Sequence, residues 1–183
     1  MNFSGDFTAP GDPDVVMRRF TDIGRMARCM PGASLEGKDE EGNYVGVMTV
    51  SFGPKRLRFT GRMTCEFDLA NRSGVLRGRG SGDARGARVS FETRFRVDPE
   101  PVAEGAPPVS RIRIDSTAEL GGVIAEFAKT GGIALANVLL RDFATNLEKD
   151  LAQDDDAGPI SEAKPLSATK VVWSAVKSKF TQN

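Results

Sequence analysis

Residues 57–69, LRFTGRMTCEFDL, alternate without a break: Leu57, Phe59, Gly61, Met63, Cys65, Phe67 and Leu69 on one side, Arg58, Thr60, Arg62, Thr64, Glu66 and Asp68 on the other. Strict period two over this length is a strand with one buried and one wet face. The pattern returns over 87–97, where Val89, Phe91, Phe95 and Val97 oppose Arg88, Glu92, Arg94 and Arg96, and over 110–120 with Ile112, Ile114, Ala118 and Leu120. One-sided strands of this kind belong to an antiparallel sheet covered on a single face. Shorter strands are predicted at 2–8, 34–38, 44–52 and 75–82, punctuated by Gly53-Pro54, residues 71–74 and Gly82-Asp83. The expectation is about seven strands in a meander.

Two short helices fall after the first strand: 13–23, with Asp12 as N-cap and Pro13 at the first position, and 24–30, stopped by Pro31-Gly32. Leu135, Leu139, Phe143, Leu147 and Leu151 then recur at four-residue steps, the mark of a long amphipathic helix. Val123, Ile124 and Phe127 suggest a helical stretch before it, interrupted at Gly131-Gly132. Strands closed by a terminal helix make an α+β fold, a curved antiparallel sheet with that helix across its concave face.

The chain has 183 residues, 25 basic and 25 acidic, two cysteines and no histidine. A domain of about 150 residues buries roughly 70% of its unfolded surface, so the core needs no disulfide or metal. Without histidine, serine–histidine–acid triads, histidine zinc sites and imidazole proton shuttles are excluded. Cys29 and Cys65 have no CxxC spacing, which fits two buried thiols in a reducing cytosol. No secretory signal and no apolar run of transmembrane length is present, so a cytoplasmic, soluble chain is expected.

Three segments are expected: a domain at 1–151, a flexible linker at 152–165 (QDDDAGPISEAKP and its neighbours), and a tail at 166–183. The tail carries Lys170, Lys177 and Lys179 and no acid; Val172, Val176 and Phe180 form one stripe with Trp173 beside it. A basic amphipathic helix of this kind suits a membrane surface, a groove in a partner protein, or the domain itself.

The apolar sheet face mixes Met48, Phe59, Met63, Phe67, Phe91 and Phe95 with glycines around Leu76, namely Gly74, Gly78, Gly80 and Gly82. Inward glycines mark a sharp bend, a space for a ligand, or both. With Ile112, Ile114, Phe127 and Leu135 they outline an apolar pocket for a lipid-like molecule. The outer face is net basic, with Arg56, Arg58, Arg62, Arg77, Arg79, Arg88, Arg94, Arg96, Arg111 and Arg113 against Glu66, Asp68, Glu92, Asp98 and Asp115. Cross-strand ion pairs account for part of it, and docking to an acidic protein is the functional alternative. Nucleic acid fits poorly, because the aromatic rings lie on the buried side. Gly78-x-Gly80-x-Gly82 opens no helix and is not a dinucleotide loop. No catalytic constellation is visible.

Phe3-Ser-Gly5-Asp-Phe7, Cys29-Met30-Pro31-Gly32, Gly53-Pro54 followed by Phe59-Thr-Gly61, Gly78-x-Gly80, and the stretch from Phe143 to Leu147 occur in that order over about residues 1–151. In this the chain resembles the carbon monoxide dehydrogenase CoxG group of the START-like, Bet v 1-like superfamily. The resemblance implies a helix-grip fold and a non-enzymatic accessory protein of a molybdenum hydroxylase. It further implies an isoprenoid quinone (menaquinone or ubiquinone) as the cavity's ligand, no tightly bound cofactor, and recruitment to the inner face of the cell membrane through the tail. The molybdenum would be the partner's. Two other readings stay open: an assembly factor with a filled interior, and a START-like enzyme acting on an apolar substrate.

Overall fold

The computed structural model describes residues 1–52 and 55–153; the turn predicted at Gly53-Pro54 and the predicted linker and tail from 154 onward lie outside the described residues. Strand β1 (Asn2–Pro10) leads into helices α1 (Pro13–Thr21) and α2 (Ile23–Cys29). Strands β2 (Ala33–Lys38), β3 (Tyr44–Phe52), β4 (Lys55–Asp68), β5 (Ser73–Gly82), β6 (Arg88–Glu100) and β7 (Val109–Gly121) follow. A 3-10 turn at Gly122–Ile124, α3 (Ala125–Thr130) and the 20-residue α4 (Gly132–Leu151) complete the described chain.

All seven strands form one antiparallel sheet in the order β1-β7-β6-β5-β4-β3-β2. Strands β2 to β7 are the expected meander. The first strand does not extend it at the β2 edge; the α1–α2 connection carries the chain across, and β1 pairs with β7 from Asn2↔Thr117 to Pro10↔Val109.

The first helix ends two residues before the predicted boundary, and the cause is local. Asp12 caps α1 through Asp14 N at 2.8 Å, as predicted, but Asp22 caps α2, accepting from Arg25 N at 2.9 Å. A residue acting as N-cap takes non-helical dihedrals, so the first helix stops there. At Met30-Pro31-Gly32 the chain turns into β2 with Gly32 at φ +78°, and the Gly32 carbonyl accepts from Thr49 N at 2.7 Å. A Cβ there would run into the Thr49 carbonyl, so glycine is required.

Helix α4 packs along β1 and against α2. Gly5 makes the first contact possible: a Cβ in its place would lie 2.6 Å from Leu140 Cδ2. The second contact is polar. Asn146 Nδ2 donates to the Cys29 carbonyl at 2.9 Å, and Asp150, 0% exposed, accepts from Arg25 Nε at 3.1 Å with Arg19 Nε at 3.5 Å. Two cations near the C-terminus of α4 also oppose the helix dipole.

The core divides into two packed regions. One holds Val16, Met17, Phe20, Phe95, Val97, Ile112, Phe143 and Leu147. Phe20 stacks on Phe95 with centroids 4.8 Å apart, and Phe143 meets Phe7 and Phe20 edge-on at 6.0 and 6.1 Å. The other, toward the opposite end of the strands, gathers Phe59, Ala87 and Ile124 with Met48, Leu57, Val89 and Leu120 around them.

Candidate functional site

The strand register sorts the predicted pocket residues by row on the inner face. At the first core region Phe67, Gly74, Phe95 and Ile114 are successive partners, with Ile112 one row below, opposite Val97. At the second, Met48 faces Phe59, and Phe59 faces Gly82. Between them run two rows: Cys65, Leu76, Thr93 and Ser116, then Met63, Gly78, Phe91 and Ala118. Met63, Leu76 and Phe91 are half-buried and belong to neither core region among the described residues. Leu135 is half-buried on α4. Phe127 lies in α3, its side chain outside the described part. Lys170, Val172, Trp173, Val176, Lys177, Lys179 and Phe180 all fall outside the described residues.

The inward glycines do two different things. Over Gly78 lies the Phe91 ring, 2.5 Å from where a Cβ would stand, and Phe95 covers Gly74 at the same distance. These glycines lie under the ends of aromatic rings, so the space they leave is occupied by cross-strand neighbours rather than empty. Gly46, Gly61 and Gly80 are successive cross-strand partners. A Cβ on Gly61 would stand 2.6 Å from the Arg79 carbonyl oxygen, and one on Gly80 2.9 Å from that of Thr60. This row lets neighbouring backbones close up where the sheet coils.

The middle strip carries one polar feature that alternation alone does not single out. Thr93 Oγ1 and Ser116 Oγ, cross-strand partners, share a hydrogen bond of 2.8 Å. Their one clue in the sequence is that hydroxyl residues interrupt the apolar series Phe91–Phe95 and Ile114–Ala118. One of the two hydroxyl hydrogens is used within the pair, and the other remains to donate. Cys65, in the same row, has its thiol pushed up to about 11 by burial. At neutral pH it is a neutral, weakly nucleophilic group. The strip therefore offers apolar contact, a hydroxyl donor and no charge. No three His, Cys, Asp or Glu side chains come together to hold a metal among the described residues.

On the outer face most arginines meet carboxylates, several beyond those predicted: Arg111 bonds Glu100 at 2.6 and 2.8 Å and also Asp6, and Arg58 lies 3.7 Å from Glu36. A depression of about 790 Å³ opens among Thr60, Arg62, Arg79, Ser81, Arg88, Ser90 and Glu119, mostly outer-face positions.

The family model for CoxG, the G component of carbon monoxide dehydrogenase, matches residues 5–152. The chain belongs to that family. No curated protein matches it. A conserved protein from Geobacillus kaustophilus shares the fold at TM-score 0.69 and 19% identity, over 83% of this chain and 95% of that one. A Thermus thermophilus protein does so at 0.57 and 17%, over 83% and 97%. Norcoclaurine synthase from Thalictrum flavum is similar at 0.54 and 16%, over 84% and 87%. The helix-grip architecture is thus common to the family and to these structures, one of which is named as an enzyme.

Proposed function

We propose that the chain is a non-enzymatic carrier of a ring-bearing apolar molecule, of the isoprenoid quinone class, working between a molybdenum hydroxylase and the membrane. One observation carries this reading: the inner face is packed at both ends, while the rows between keep Met63, Leu76 and Phe91 half-buried beside the Thr93–Ser116 hydroxyl pair. A quinone suits such a strip, because its ring and isoprenoid chain need apolar contact and its carbonyl oxygen can accept the free hydroxyl hydrogen. The chain's own residues would bind and orient the ligand and exclude water; redox chemistry belongs to the quinone and the partner. The family description names carbon monoxide dehydrogenase, which supports an enzyme of that type as the partner. The tail at 166–183 supplies the membrane step: its lysines are each worth about 1 kcal/mol near an anionic leaflet, and its apolar stripe enters the interface.

Native mass spectrometry of the protein mixed with menaquinone tests the ligand. A one-to-one adduct is expected, reduced by Gly78→Leu, which drives Phe91 into the strip, and by Thr93→Val with Ser116→Ala. An absent adduct, or one indifferent to all three changes, would remove the carrier reading. Deleting residues 164–183 should abolish co-sedimentation with anionic liposomes and leave the thermal transition in place; equal sedimentation would remove the tether.

A further inference from the structure

The outer sheet face is neutralised over most of its extent. Arg77 donates to Glu66 and Glu92, each at 2.7 Å, and Asp98 accepts from both Arg96 at 2.8 Å and Arg113 at 2.6 Å. Even the facing pair Arg96 and Arg113 thus shares a carboxylate. The depression is different. Arg62 and Arg79 face each other across β4 and β5, a like-charge pairing that destabilises a sheet unless a counter-charge arrives. Arg62 reaches Asp39 and Glu41 at 3.9 and 3.6 Å, whereas Arg79 and Arg88 meet no carboxylate among the described residues.

We propose that this depression docks an extended acidic segment of a partner protein, with carboxylates at alternate positions seated on Arg79 and Arg88. The register sets the spacing. Arg79 faces Ser90 and Arg88 faces Ser81, so the two arginines are diagonal neighbours on β5 and β6, about 7–8 Å apart. Side chains two apart on an extended peptide project from the same face about 7 Å apart. A volume of about 790 Å³ accommodates several side chains. A flat bilayer does not enter a concavity, which favours a polypeptide. The inference is independent of the carrier reading, since it concerns the other face of the sheet.

The test uses the full chain and a fluorescent heptapeptide with glutamate at alternate positions, together with its glutamine counterpart, at low salt. The glutamate peptide should bind, weakening as salt rises, and the glutamine peptide should not. Arg79→Gln with Arg88→Gln should weaken binding at least about tenfold. Arg96→Gln with Arg113→Gln, where a carboxylate is already present, should change it less than about twofold. Equal losses from the two double variants, or none from the first, would overturn the proposal. Vesicles of phosphatidylglycerol and phosphatidylcholine in equal parts are the second probe: if Arg79 and Arg88 are needed for vesicle binding and not for peptide binding, the face meets lipid and the proposal falls.

Discussion

Asp150 is the residue whose role is hardest to see from its neighbourhood in the chain. It stands just before an acidic, linker-like run and yet is 0% exposed, held by Arg19 and Arg25 from two other helices. The signal was present in the helical stripe: Phe143, Leu147, Asp150 and Leu151 share a face, and a carboxylate on an apolar face calls for a cation. Which cation could not be read, because α1 and α2 meet α4 only in the folded chain. Asp150→Ala leaves two largely buried guanidinium groups without the carboxylate between them, a change worth about 3 kcal/mol or more. Urea denaturation should show the midpoint falling with an unchanged slope; a change under about 0.5 kcal/mol would mean that the pair contributes little. Thr93 and Ser116 teach the same lesson on the inner face: each looks like a lapse in alternation until the register sets one opposite the other.

Among the elements, the strands were legible because one face is buried and the other wet, which imprints period two on the sequence from residue 57 onward. The pairing of β1 with β7 was not, since the contact joins Asn2 to Thr117 and no local pattern encodes a partner so distant. Nor was the use of the inward glycines, which depends on what lies across the strand. Their difference is measurable. Gly61→Ala sets a methyl 2.6 Å from a backbone carbonyl in the middle of the sheet and should destabilise by about 1–3 kcal/mol. Gly78→Ala meets the far end of the Phe91 ring, which can swing aside, and should cost less. Thermal unfolding of the two variants checks the order; equal losses would mean that the glycine row does not set the close approach of β4 and β5.

For the whole molecule, stability should be level across the neutral range. The chain has no histidine, so no side chain titrates near neutrality by default. On the acid side, hydrogen bonds from Arg77 to Glu92 and from Arg111 to Glu100 hold those carboxyls below their ordinary range. Their stabilisation is complete above the ordinary glutamate range and is lost as pH falls through the lowered folded values. On the alkaline side, burial pushes the Cys29 and Cys65 thiols from 9.0 up to about 11, so the protonated form is favoured on folding. That contribution is present below pH 9 and is lost as pH rises toward 11. Urea midpoints should therefore be flat from about pH 5.5 to 8.5 and fall on both sides. A slope within that window would point to a group these pairings do not include. The sheet, its covering helix and the apolar face were all legible at this scale. The helix's seat beside β1 and α2 was not, because it depends on Gly5 and Asp150 meeting partners far along the chain.

The charge cluster around Asp150 has a mechanical consequence. It fastens the final turn of α4, which ends at Leu151, to α1 and α2. A force applied beyond the helix is thus delivered to a turn held by two largely buried ion pairs. The load spreads into three helices at once, and a tug from outside would not unravel α4 from its end.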